Sequence, residues 1–178
     1  MDLADLTNPG TSTPRAGLPR YAYIAKIDDI LTLQAPSAAP ATLAERVNIA
    51  TAHVMKTGKK FIQFYCAPNK GMIETKSVGD QKFVAADTEV KLFYPGDDAT
   101  TRGLLELLQN EDLIGLVPNK NDDLILQIGD KHSPAFVKSF RLTWGGKSGD
   151  EWGMEITFSY DGYSPRVYDA VIPVEPGA

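Results

Sequence analysis

Phe136-Val137-Lys138-Ser139-Phe140-Arg141-Leu142-Thr143-Trp144 and Met154-Glu155-Ile156-Thr157-Phe158-Ser159-Tyr160-Asp161 are the two stretches that decide the fold class. In the first, Phe136, Phe140, Leu142 and Trp144 share one parity, while Ser139, Arg141 and Thr143 take the other. In the second, Met154, Ile156, Phe158 and Tyr160 alternate with Glu155, Thr157, Ser159 and Asp161. Successive side chains of a strand point to opposite faces, so a hydrophobic period of two marks a half-buried strand. Gly145-Gly146-Lys147-Ser148-Gly149-Asp150 lies between the runs. Together they predict an antiparallel hairpin with a flexible tip.

The same period extends outward. Further strands are expected at 21–27, 46–51, 60–67, 72–78, 89–94, 113–117, 124–128 and 167–174, and Asn119-Lys120-Asn121-Asp122 supplies turn chemistry between two of them. One helix interrupts the pattern. Asp97 or Asp98 can cap it, and Leu104, Leu105 and Leu108 then share a face, with Leu107 on the flank. A second helix candidate, 41–50, places Leu43 and Val47 four apart, but the alternation of Val47 and Ile49 favours strand in its second half. Two nineteen-residue blocks, Val78–Gly96 and Ile128–Gly146, also echo each other without gaps. They align Val90 with Phe140, Lys91 with Arg141, Leu92 with Leu142 and Tyr94 with Trp144. Shared turn chemistry explains such an echo, and so does a duplicated unit placed in two facing sheets.

The expected architecture is therefore mainly β: an antiparallel β-sandwich or partly closed barrel with one flanking α-helix. Residues 1–20 form an extended N-terminal arm, because 7–20 hold three prolines and two glycines and offer little to a core. Residues 21–178 form a single β-sandwich domain, as a length of 178 residues allows. Eighteen Lys and Arg against 23 Asp and Glu give a net charge of −5, which disfavours a binder that works by neutralising phosphates. One cysteine excludes an intrachain disulfide. Met1–Leu6 lacks the basic and apolar regions of a signal peptide, and no apolar run approaches the ~20 residues that span a bilayer. No membrane partner is expected.

Each candidate for chemistry has a plainer explanation. Gly146-Lys147-Ser148 resembles the tail of a phosphate-binding loop, but Arg141 stands where the first glycine belongs and a strand follows instead of a helix. His53 and His132 are far apart, and neither has a second histidine at metal-ligand spacing. Cys66 shares its parity with Ile62 and Phe64, which points to a buried thiol. Asp28-Asp29, Asp97-Asp98 and Asp122-Asp123 are adjacent pairs whose side chains diverge, so they do not form a two-carboxylate acid and base site. Lys56, Lys59 and Lys60 read as a charged loop or a subunit contact. No catalytic residue, cofactor-binding residue or metal ligand is assigned, and the chain is expected not to be an enzyme.

Thr57-Gly58-Lys59-Lys60-Phe61-Ile62-Gln63-Phe64-Tyr65, the hairpin through 72–78, Phe93-Tyr94-Pro95-Gly96 and the leucine helix follow one another in an order that resembles the tail tube proteins of tailed bacteriophages. Leu113-Ile114-Gly115-Leu116-Val117-Pro118 and Trp152-Gly153-Met154-Glu155 continue the likeness, which covers roughly residues 20–175. The resemblance implies a virion structural protein made in the bacterial host cytoplasm. It would self-assemble, through stacked hexameric rings, into a tube through which DNA passes without specific binding. It also implies contacts with other tail proteins, an acidic lumen, no cofactor and no catalytic residues. The hairpin from Cys66 to Phe83 would be the ring-to-ring contact. The alternatives are another virion component, such as a capsid decoration or tail-completion protein, and a monomeric β-sandwich binding module.

Overall fold

A computed structural model describes residues 21–80, 84–120, 124–147 and 150–177. The expected arm over 1–20 lies outside the described residues, as do Asn121, Asp122 and Asp123, residues 81–83 of the 66–83 hairpin, and Ser148 and Gly149 of the hairpin tip. The chain is mainly β, with open, largely antiparallel sheets, and among the described residues one α-helix and no closed barrel. That helix is too short to cross a membrane.

The expected hairpin forms. Strand β10 (Phe136–Thr143) pairs antiparallel with β11 (Gly153–Gly162), so that Phe140 faces Ile156, Arg141 faces Glu155 and Leu142 faces Met154. An extra residue between Val137 and Ser139 breaks the simple alternation. A bulge of one residue reverses parity, so Val137 pairs with buried Phe158 while Phe136 pairs with Ser159 on the opposite face. The shared parity of Phe136 with Phe140 in the sequence is thus corrected by the bulge.

On its other edge β11 pairs with β7 (Ala85–Tyr94), which pairs in turn with β6 (Met72–Val78), giving a four-stranded sheet ordered β10-β11-β7-β6. A six-stranded sheet lies against it. Its order is β3 (Asn48–Ile49), β12 (Arg166–Tyr168), β9 (Ile125–Ile128), β8 (Leu113–Pro118), β1 (Tyr21–Lys26) and β5 (Ile62–Tyr65). A small sheet of β2 (Ile30–Thr32) and β4 (Val54–Met55) completes the strands.

Two apolar clusters show why the sheets stack. The larger joins Ala22, Ile24, Leu113, Val117 and Ile128 of the six-stranded sheet to Val90, Leu92, Met154, Ile156, Phe158 and Tyr160 of the four-stranded one. The smaller covers the other face of the six-stranded sheet with Ala25, Ile114 and Leu116, joined by Ile30, Ile49, Met55, Phe61 and Tyr168. Strand β8 therefore has apolar neighbours on both faces, and all six of its residues are buried. This explains why its sequence is continuously apolar where the outer strands alternate. Each large side chain removed from water in this way stabilises the fold by about 1.5–3 kcal/mol.

Helix α1 (Ala99–Leu108) caps the larger cluster with Leu105 and Leu108, while Leu104 packs at its margin and Leu107 stays 56% exposed. Of the two possible caps, Asp98 is the one used: its carboxylate accepts the Thr101 N–H at 2.7 Å. Asp97 instead grips Arg102 through two bonds of 2.7 Å and also accepts the Trp144 indole N–H, tying the helix to the end of β10.

Three further expectations change. The strand foreseen over 46–51 contracts to β3, because the preceding residues form turns in which the N–H groups of Val47 and Asn48 both donate to the Ala44 carbonyl. Neither helix nor strand occupies 41–47. The strand foreseen over 167–174 ends at Tyr168, whose hydroxyl donates to the Val171 carbonyl, while Ala170 and Ile172 pack against the smaller cluster. The echoing segments do not lie in facing sheets: β7 and β10 flank the same strand, and Leu92 and Phe140 both face Ile156.

Candidate functional site

The turn between β9 and β10 begins one wall of a cleft. Asp130 accepts N–H groups from His132 at 2.7 Å and Ser133 at 2.9 Å, which closes the turn locally. Gly129 enters it at φ +87°, where an added Cβ would stand 2.6 Å from the Leu113 carbonyl oxygen. Tyr160 donates its hydroxyl to the other Asp130 oxygen at 3.0 Å, anchoring the turn to β11. Burial works to raise the Asp130 pKa, but the Ser133 and His132 N–H groups with the Tyr160 hydroxyl outweigh it and hold the carboxyl below its usual range. Burial, reinforced by Asp130, pushes Tyr160 up to about 12.

The cleft encloses about 350 Å³ between this turn, the segment 33–36 that leaves β2, and the link from β11 to β12. Leu33, Pro36 and Ile49 give it apolar surface, and Gln127 lies on its floor. Lys131, His132, Tyr163 and Arg166 supply polar chemistry at its sides. The Arg166 guanidinium lies 5.2 Å from the centre of the Tyr163 ring and donates to the Arg46 carbonyl at 3.4 Å. Among the described residues neither Lys131 nor Arg166 has a carboxylate at ion-pair distance. The lining thus carries two cations, Lys131 and Arg166, and one carboxylate, Asp130, in a chain of net charge −5.

Behind the floor sits His53, 3% exposed. Its Nδ1 accepts the Gln34 N–H at 3.1 Å, which places the ring proton on Nε2, where it donates to Gln127 Oε1 at 2.8 Å. The Gln127 amide donates in turn to the Gly129 carbonyl at 3.1 Å. The backbone N–H of His53 donates to the Tyr168 hydroxyl, and the two rings pack at 4.8 Å. Burial lowers the His53 pKa, opposed in part by the Gln127 bond. A neutral imidazole with both nitrogens engaged is a structural brace for two cleft-lining residues, Gln34 and Gln127.

The sequence candidates separate accordingly. His132 stands on the cleft side and His53 behind its floor. The N–H groups of Gly146 and Lys147 both donate to Asp150 at 2.8 Å, so the loop that resembles a phosphate cradle holds its own carboxylate. Cys66 is buried beside Phe64 in the larger cluster, as its parity predicts, and burial pushes its thiol pKa up. Lys59 pairs with Asp29 at 3.0 Å. Asp97 and Asp98 serve different partners, as described. Among the described residues no three His, Cys, Asp or Glu side chains converge as metal ligands. Lys131, Tyr163, Arg166 and Gln127 were not legible as a site, since they are far apart in sequence and share no motif.

No family model matches the chain, and no solved structure matches it. The heat-inducible transcription repressor HrcA of Pediococcus pentosaceus is 32% identical over 98 residues, a stretch covering 51% of this chain and 28% of the repressor. The matched part thus spans less than a third of that relative's length. This finding overturns the tail-tube reading. The likeness is to a transcription repressor and not to a phage protein, so the virion role, the stacked hexameric rings and DNA conduit, the other virion parts and the virion location are corrected, along with the ring contact assigned to 66–83. The monomeric binding module draws no support from the match either. The resemblance rested on the order of strands around one helix, and a sandwich of this kind serves many unrelated functions.

Proposed function

We propose that this chain is a non-catalytic regulatory module that binds a small organic acid in the cleft. The observation that carries the reading is the placing of two cations, Lys131 and Arg166, beside the apolar surface of Leu33, Pro36 and Ile49, while Asp130, the carboxylate of the lining, is engaged by the His132 and Ser133 N–H groups and the Tyr160 hydroxyl. A guanidinium fork and an ammonium suit a carboxylate, and a mostly apolar cleft of this size suits a small body attached to it. The partial likeness to a transcription repressor supports a regulatory setting. The described residues contain a single ten-residue helix, so reading of DNA is not assigned to them.

Titration with acetate, benzoate and octanoate, followed by amide NMR, tests the proposal. Benzoate or octanoate should move the Ser133, Gly162 and Gln127 signals saturably, and benzamide should not. Lys131→Gln with Arg166→Gln should abolish the response. Equal binding of benzamide, or no saturable shift with any of the three acids, would overturn the reading.

A further inference from the structure

Strand β6 is an edge of the four-stranded sheet, seven residues long, and its pairing with β7 runs from Met72 opposite Lys91 to Val78 opposite Ala85 without a bulge. Among the described residues nothing pairs with its other side. Such an edge presents a row of unpaired N–H and C=O groups, and proteins ordinarily blunt it. The outer strands of the two larger sheets other than β6 are blunted. Strand β10 carries the bulge at Val137/Ser139. Strand β5 has four residues, and the Phe61 N–H just before it donates to the Pro173 carbonyl. Strand β3 has two.

We propose that β6 is a self-complementary edge through which two copies of this chain pair antiparallel about Thr75. The sequence Met72-Ile73-Glu74-Thr75-Lys76-Ser77-Val78 has a chemical two-fold at its centre. In that register Glu74 faces Lys76 of the second copy, Lys76 faces its Glu74, and Met72 faces its Val78. Two-fold pairing requires such matching, because every contact occurs twice. Met72 and Val78 are 42% and 54% exposed, so the ends of the register bring together apolar surface that is otherwise wet.

The charges also select the register. Sliding the two-fold to Glu74 sets glutamate against glutamate, and sliding it to Lys76 sets lysine against lysine. Like charges directly opposite destabilise a strand pair, so one alignment is favoured over both its neighbours. Within one chain Glu74 already faces Glu89 across the β6–β7 ladder, and its cation is Lys76 of its own strand at 3.1 Å. The second copy would bring another lysine to the open side of Glu74. The residues 72, 74, 76 and 78 share the sheet's outer face, so pairing would extend one charged surface across both copies.

Light scattering over a range of concentrations, with Glu74→Lys and the double variant Glu74→Lys/Lys76→Glu, tests this. The wild-type chain should pass from monomer to dimer as concentration rises. Glu74→Lys sets lysine against lysine and should raise the dissociation constant at least about tenfold. The double variant restores the complement and should return it to within about threefold of wild type. Circular dichroism should be the same for all three, since both side chains are exposed. A strictly monomeric wild type, an undiminished dimer in Glu74→Lys, or no recovery in the double variant would overturn the pairing. Acid binding is read at Lys131 and Arg166, which these substitutions leave intact, so either proposal can fail without the other.

Discussion

Replacing His53 by alanine tests the brace behind the cleft. The substitution leaves Gln127 Oε1, 2% exposed as a residue, without its 2.8 Å partner. A stranded buried acceptor costs about 1–3 kcal/mol, and the lost Gln34 N–H bond adds about 0.5–1.5 kcal/mol. Loss of ring packing against Tyr168 and Phe61 adds about 0.5–1.5 kcal/mol for each well-placed aromatic pair. The total is about 2.5–7.5 kcal/mol, a large share of the stability of a domain. Urea unfolding above pH 7 measures it, and His53→Ala/Gln127→Leu supplies the control. Removing both polar partners should cost less than the sum of the single changes by about 1–2 kcal/mol.

The same residue sets a pH dependence. Its folded-state pKa lies below the ordinary value of 6.5, so the unfolded chain takes up the proton first. The contribution of neutral His53 is therefore complete above pH 6.5 and is lost as pH falls toward the lower folded-state value. The stability gap between wild type and His53→Ala should shrink over that interval. A gap below about 1 kcal/mol at neutral pH, less than one stranded acceptor costs, or a gap that does not change on acidification, would refute the brace.

Two other measurements probe the turn that shapes the cleft. Gly129→Ala forces a Cβ to within 2.6 Å of the Leu113 carbonyl oxygen and 2.8 Å of the Ala135 nitrogen at a positive φ, and thermal unfolding should report a loss of about 1–3 kcal/mol. Tyr160→Phe removes the hydroxyl bonded to Asp130; in a tyrosinate absorbance titration the step at about 12 should vanish, and the Asp130 pKa, followed by NMR, should rise. Since the Asp130 folded-state pKa is lowered, the stability it contributes is present above its ordinary value of 3.8 and is lost as pH falls through the folded-state value. The acid limb of wild-type stability should therefore be steeper than that of Tyr160→Phe.

The two proposals concern separate elements on one scaffold. In them the cleft braced by His53 would take the ligand, and the edge strand would join two copies. Tyr163 lines the cleft and also a shallower groove beside Thr75, Lys76 and Ser77 of β6. The two regions thus share a side chain on their borders.

Local pattern determined the elements of this protein. Alternation in 136–144 and 154–161 specified the hairpin, and the leucine spacing after Asp98 specified the helix, because side-chain direction along a strand or helix follows from backbone geometry alone. Parity also placed Cys66 in the core. Tertiary structure decided the rest. One extra residue between Val137 and Ser139 turned Phe136 to the other face, which no residue type announces. Sheet order brought Lys131, from the turn after β9, and Arg166, from β12, to one cleft. It also left β6 at an edge, where among the described residues no strand pairs with the outer side of 72–78. A sequence records the period of each strand, but which strands become neighbours depends on how all the apolar faces are buried at once.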